Sequence, residues 1–112
     1  MRLNPDCIRD LLLTAEEHEN MLYPGNFNLL DKYDRQEVIY HIKQCHMSEL
    51  ILVTEYANDG GYRISDLTPK GHELVSQIRP EFNWSKITKI LLKHGCSISA
   101  IIQCATTICS SL

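Results

Sequence analysis

The sequence has no Gly-x-Ser-x-Gly elbow and no glycine-rich loop of the kind that cradles phosphate, so two common routes to hydrolase and nucleotide-dependent chemistry are missing. Its cysteines, Cys7, Cys45, Cys96, Cys104 and Cys109, are odd in number and never stand in Cys-x-x-Cys spacing. That argues against a disulfide framework and against a zinc ribbon, and the expectation is reduced, mostly buried thiols with no metal and no cofactor. Strong basic charge is missing too: the formal net charge is −3, whereas proteins held on nucleic acid by phosphate neutralisation are more often basic overall. Residues 95–112 carry no charged side chain, but this stretch is shorter than a membrane span and contains Ser97, Ser99, Gln103, Thr106, Thr107, Ser110 and Ser111. No membrane association is expected. The first residues, Met1-Arg2-Leu3-Asn4-Pro5-Asp6, are acidic and polar where a signal peptide needs an apolar run, which points to a cytoplasmic location.

What is present reads as one ordinary globular chain of 112 residues, 44% hydrophobic and 22% charged. Charge is unevenly spread. Residues 1–79 hold 13 acids against 8 bases, while residues 80–112 hold Glu81 against Lys86, Lys89 and Lys93.

The order of elements follows from local signals. Asn4 caps a helix opening at Pro5, and Ile8, Leu11, Leu12 and Ala15 recur at helical spacing before the breaker Pro24-Gly25. A connector follows, with a short strand expected around residues 27–30. Asp34 and Glu37 form a capping box that starts a second helix at Arg35, running to about His46. Ile51 to Tyr56 and Tyr62 to Ser65 are β-rich runs around the turn signal Asn58-Asp59-Gly60-Gly61. Thr68 and Pro69 open a third helix that ends before Pro80. Trp84, Ile87, Ile90 and Leu91 make the apolar stripe of a fourth, opposite Lys86, Lys89 and Lys93 and stopped by Gly95. In the last helix Ile98, Ile101, Ala105, Ile108 and Leu112 alternate at spacings of 3 and 4, a seam widened by Ile102 and Cys109.

On the second helix Val38, Ile39, Ile42 and Cys45 share one face, and Gln36, Tyr40, Lys43 and Gln44 share the other. His41, at the edge of the apolar face beside Tyr40, reads as a structural histidine and not an acid-base catalyst. A capped helix with a polar outer face, followed at once by a hairpin, is the order of recognition helix and wing in winged helix-turn-helix proteins. Glutamine and lysine suit base edges and phosphate, and tyrosine suits backbone oxygens, so Gln36, Tyr40, Lys43 and Gln44, with Arg63 from the wing, are the candidate nucleic-acid contacts.

Three stretches also resemble one family: MRLNPDCIRDLLLTAEE (residues 1–17), YHIKQC (residues 40–45) and DLTPKGHELVSQIR (residues 66–79) followed by Trp84. They are similar to small phage and prophage proteins of Gram-positive bacteria in the uncharacterised family DUF2513. The resemblance implies a winged-helix fold, phage or prophage origin and no known catalytic residues. One departure from the winged pattern is visible: residues 21–33 lack the amphipathic helix that normally precedes the recognition helix.

The expectation is therefore an α+β, mostly helical chain, with a winged helix-turn-helix-like domain over residues 1–80 and two extra C-terminal helices over residues 81–112. Those helices are expected to form a homo-oligomer, a dimer, through Ile98, Ile101, Ile102, Ala105, Ile108 and Leu112. The function expected is binding and not catalysis, with DNA as ligand for a regulator or, in the alternative reading, a host or defence protein as partner.

Overall fold

A computed structural model of the chain describes residues 2–17, 32–55 and 62–110, and the side chains of these except at 54, 55, 62, 63, 109 and 110. Within them the elements are α1 (Pro5–Glu17), α2 (Arg35–Met47), β1 (Ile51–Glu55), β2 (Tyr62–Leu67), α3 (Pro69–Ile78), α4 (Glu81–His94) and α5 (Ile98–Ser110). The chain is α+β and mostly helical, with β1 and β2 paired antiparallel. The expected strand around residues 27–30, most of the connector at 21–33 and the turn at 58–61 lie outside the described residues.

Helix starts follow their capping chemistry. Asn4 Oδ1 accepts the Asp6 N–H at 3.0 Å, and Thr68 Oγ1 accepts that of Gly71 at 3.0 Å. Each satisfies a donor that the first helical turn leaves without a backbone partner. Asp34 does occupy the N-cap of α2, but its carboxylate makes no capping hydrogen bond. The expected capping box therefore contributes position only. Asp34 is exposed and its carboxylate stays in water, while its carbonyl begins the helix by accepting the Val38 N–H at 3.0 Å.

The exit from α2 aims the hairpin. Glu49 stands at φ 62, and the N–H groups of Glu49 and Leu50 donate back to the carbonyls of His46 and Cys45, each at 3.0 Å. This left-handed stop turns the chain straight into β1. Ile51 pairs with Leu67 and Leu52 with Asp66, but Val53 pairs with Ile64, so Ser65 is an extra residue in β2. Its hydroxyl donates to the Leu52 carbonyl at 3.1 Å. Thr68 then fixes the start of α3 against the same turn: its hydroxyl donates to the Glu49 carbonyl at 2.6 Å, and its N–H to that of Leu50 at 3.1 Å. Gly71 is required by this closeness, because a methyl group there would overlap the Leu50 carbonyl oxygen.

One apolar core runs through every element. Ile8, Leu11 and Leu12 of α1, Val38 and Ile42 of α2, Ile51 and Ile64 of the hairpin, and Leu74, Val75 and Ile78 of α3 meet Trp84, Ile87 and Leu91 of α4. Ile98, Ile101 and Ala105 of α5 belong to the same cluster, and α5 packs against α3 and α4. This corrects the expectation for the last helix. The seam was expected to face a second copy, but Ile98, Ile101 and Ala105 are buried within the chain, with Ile102 and Ile108 half-buried beside them. Leu112 lies outside the described residues. The physical reason is that α3 and α4 together offer an apolar surface that α5 covers, so burial in one chain already accounts for the stripe. Residues 81–110 are thus continuous with the core of the preceding elements. Ile90, expected in the α4 stripe, sits at the rim and is 38% exposed.

Arg9 joins three of these helices. Its guanidinium and Nε donate to the carbonyls of Arg79 at 2.8 Å and Ile78 at 3.0 Å, where the last carbonyls of α3 lack helical partners. It also pairs with Glu81 at 3.2 Å and lies 5.6 Å from the centroid of the Trp84 ring. The Trp84 indole donates to Asp6 at 3.0 Å, which closes a second link between α1 and α4.

Candidate functional site

Helix α2 is held by its inner face. Val38, His41, Ile42 and Cys45 are buried, and His41 is the polar member. Its Nε2 accepts the Asn4 N–H at 2.8 Å, and its Nδ1 lies 2.7 Å from the Glu37 carbonyl. Both contacts are satisfied together by a neutral ring with the proton on Nδ1. His41 is therefore a structural histidine, as its place on the helix suggested, and it fastens the N-terminal segment to α2.

The outer face of α2 divides in two. Gln36 and Lys43 are exposed, as their places on the helix suggested. Tyr40 and Gln44, expected on the same open face, are half-buried, and so is Ile39. The reason for Tyr40 and Gln44 is tertiary: Arg2 and Leu3 from the N-terminal segment and Cys96, Ser97 and Ile98 from the α4–α5 connection stand beside them. Together these seven residues line a cleft of about 550 Å³. The Arg2 guanidinium, the Tyr40 hydroxyl and the Gln44 amide make no hydrogen bond or ion pair among the described residues, and no carboxylate lines the cleft. Ser97 caps α5 by accepting the Ala100 N–H at 3.0 Å, so the positive end of that helix also faces this neighbourhood.

The other predicted contact, Arg63, has its backbone in β2 opposite Thr54, and its side chain lies outside the described ones. Lys86, Lys89 and Lys93 project from the exposed side of α4. With them stand two apolar side chains, Phe82 at 68% and Leu92 at 87% exposure, and the Lys86 ammonium lies 4.3 Å from the Phe82 ring centroid.

The thiols divide by burial. Cys7 and Cys45 are fully enclosed. Burial, with the charges of Glu37 and Asp10 nearby, pushes the Cys7 thiol up from 9.0 to about 12, and burial pushes that of Cys45 up as well. Neither is a nucleophile near neutral pH. Cys96 and Cys104 are half-buried, and burial raises Cys96 too. Tyr33 is also raised, first by burial and then by its 2.8 Å hydrogen bond to Asp10. Among the described residues no three His, Cys, Asp or Glu side chains converge as a metal site, and no helix is long and apolar enough to cross a membrane.

Reading the sequence alone missed Arg2, Leu3, Cys96 and Ser97 as neighbours of Tyr40 and Gln44. No local signal marks them, since they stand 37 to 42 and 52 to 57 positions along the chain from Tyr40 and Gln44.

Comparison with known proteins places the chain. The family model described as "Hypothetical protein (DUF2513)" matches residues 2–97. A protein of Haemophilus influenzae, bearing the description "Uncharacterized protein", is 32% identical over 119 aligned positions, which take in 100% of this chain and 98% of the relative. No solved structure matches. Apart from Met1, the motifs at residues 1–17, 40–45 and 66–79 fall inside the matched span, and the chain belongs to the DUF2513 family.

Proposed function

We propose that this chain is a non-enzymatic binding protein built on a winged-helix plan, of phage or prophage origin, and that its ligand is duplex DNA. The observation that carries this reading is the presentation of α2. The helix is anchored by a buried face that includes His41, it leads directly into the β1–β2 hairpin, and it leaves Gln36 and Lys43 in water on the opposite side. In this reading Lys43 meets phosphate or a guanine edge, Gln36 meets an adenine edge, and Arg63 follows from the hairpin. Tyr40 and Gln44 contribute only through the edges that the cleft leaves open.

The test is a titration of fluorescent random-sequence duplex at two salt concentrations. Binding is expected to weaken with salt, and Lys43→Ala is expected to weaken it further while lowering the salt slope by about one ion. Folded protein that fails to bind duplex even at low salt overturns this reading.

A second reading has its own support. The net charge of −3 is unfavourable for phosphate binding, and α4 exposes Phe82 and Leu92, large apolar side chains suited to a protein partner. On that reading the chain engages a host or defence protein, and capture from nuclease-treated host lysate should be abolished by Phe82→Ser with Leu92→Ser.

A further inference from the structure

We infer that the cleft between the N-terminal segment, α2 and the start of α5 is a binding site for the phosphate group of a small molecule, up to the size of a mononucleotide. This inference goes beyond the DNA reading and stands or falls separately from it. The argument begins with what the cleft contains. Its volume of about 550 Å³ lies within the usual range for small-molecule sites. Its lining combines one permanent cation, Arg2, with the Tyr40 hydroxyl, the Gln44 amide and the Ser97 hydroxyl, and among the described residues it includes no carboxylate.

The unengaged donors are the decisive feature. Arg9 binds two carbonyls and a carboxylate and the Trp84 indole binds Asp6, while Gln36 and Lys43 stand exposed on the outer face of α2. Arg2, the Tyr40 hydroxyl and the Gln44 amide differ from both in lining one cleft together with no hydrogen-bond or ion-pair partner among the described residues. A planar guanidinium presents paired donors that match phosphate oxygens, and a hydroxyl and an amide in the same lining add further donors. Leu3 and the buried Ile98 give the same space an apolar wall, suited to the uncharged remainder of such a molecule. The backbone holding Arg2 in place is itself fixed, because Asn4 donates to His41 and caps α1.

The test is an amide NMR titration of the full chain with three probes: inorganic phosphate, adenosine monophosphate and uncharged adenosine. Phosphate and the monophosphate are expected to shift the amides of Arg2, Tyr40, Gln44 and Ser97, with the monophosphate binding at about 1 mM or tighter. Adenosine is expected to bind at least about tenfold more weakly, and Arg2→Ala to weaken the monophosphate by about tenfold. Arg2 makes no hydrogen bond or ion pair among the described residues, and Tyr40→Phe, which keeps the ring, gives a second variant that should weaken binding by at least about twofold. No shift at about 10 mM, shifts elsewhere on the surface, or equal affinity in Arg2→Ala overturns the inference. So does a result in which duplex DNA perturbs the cleft but the monophosphate does not, which would assign these residues to the DNA-facing surface. Failure of duplex binding with the monophosphate response intact would instead reject the DNA reading and leave the cleft as inferred.

Discussion

Two arginines seven positions apart live under opposite conditions. Arg9, its side chain 13% exposed, meets the Ile78 and Arg79 carbonyls, Glu81 and the face of Trp84. Arg2 is exposed and engages nothing among the described residues, yet it stands at a cleft with two further unengaged polar groups. Both are cations on the same short stretch of chain. What separates them is their surroundings: Arg9 closes the end of α3, where carbonyls need a donor, whereas Arg2 lines a cleft with the Tyr40 hydroxyl and the Gln44 amide. A guanidinium that completes helix ends stabilises the fold, and one placed among other donors is suited to an anion from outside.

That contrast can be broken first at Arg9. Arg9→Ala should destabilise the protein by ~3 kcal/mol in urea unfolding, since it strips a donor from two carbonyls and a partner from Glu81. A loss no larger than that of Arg2→Ala would end the distinction between the two residues.

The thiols sharpen the same contrast between enclosed and accessible groups. Cys7 ionises near 9.0 when unfolded and is held up to about 12 in the fold. The folded state binds the proton more tightly, so this contribution is complete below pH 9.0 and declines as pH rises from there toward about 12. The slope approaches ~1.4 kcal/mol per pH unit for this one group. Comparing unfolding at about pH 8 and about pH 10.5, the loss of stability should be smaller in Cys7→Ala than in the unaltered chain, although that variant starts less stable. An identical loss in both would show that Cys7 is not held protonated by the fold.

The smallest effect belongs to Arg2→Ala, which should change unfolding stability by no more than about 0.5 kcal/mol, as for other surface replacements outside any network. A larger loss would reveal an internal partner for Arg2 and remove the reason for treating it as a ligand contact.

How much of this was legible in the residues depended on distance along the chain. The starts at Pro5, Arg35 and Pro69 and the stop at Gly95 are encoded within a few residues of where they act, so capping chemistry located them. His41 was legible as structural because its position on α2 puts it beside Val38 and Cys45. The seam of α5 was legible only in part. Spacings of 3 and 4 announce that Ile98, Ile101 and Ala105 need cover, but they are the same whether the cover is a second copy or α3 and α4. The cleft was not legible at all, since Arg2 and Tyr40 carry no mark of the Cys96-Ser97 turn that folds back on them.

The burial of α5 separates two boundaries that are easily taken for one. The span matched by the family model closes at residue 97 and α5 opens at Ile98, yet Ile98, Ile101 and Ala105 belong to the same buried core as Leu74 and Ile87. A chain ending where the shared pattern ends would leave the surfaces of α3 and α4 beneath this helix open to water, and would lose one wall of the cleft with it. The core extends past the span that the family model matches, and its last helix has no charged side chain to mark it.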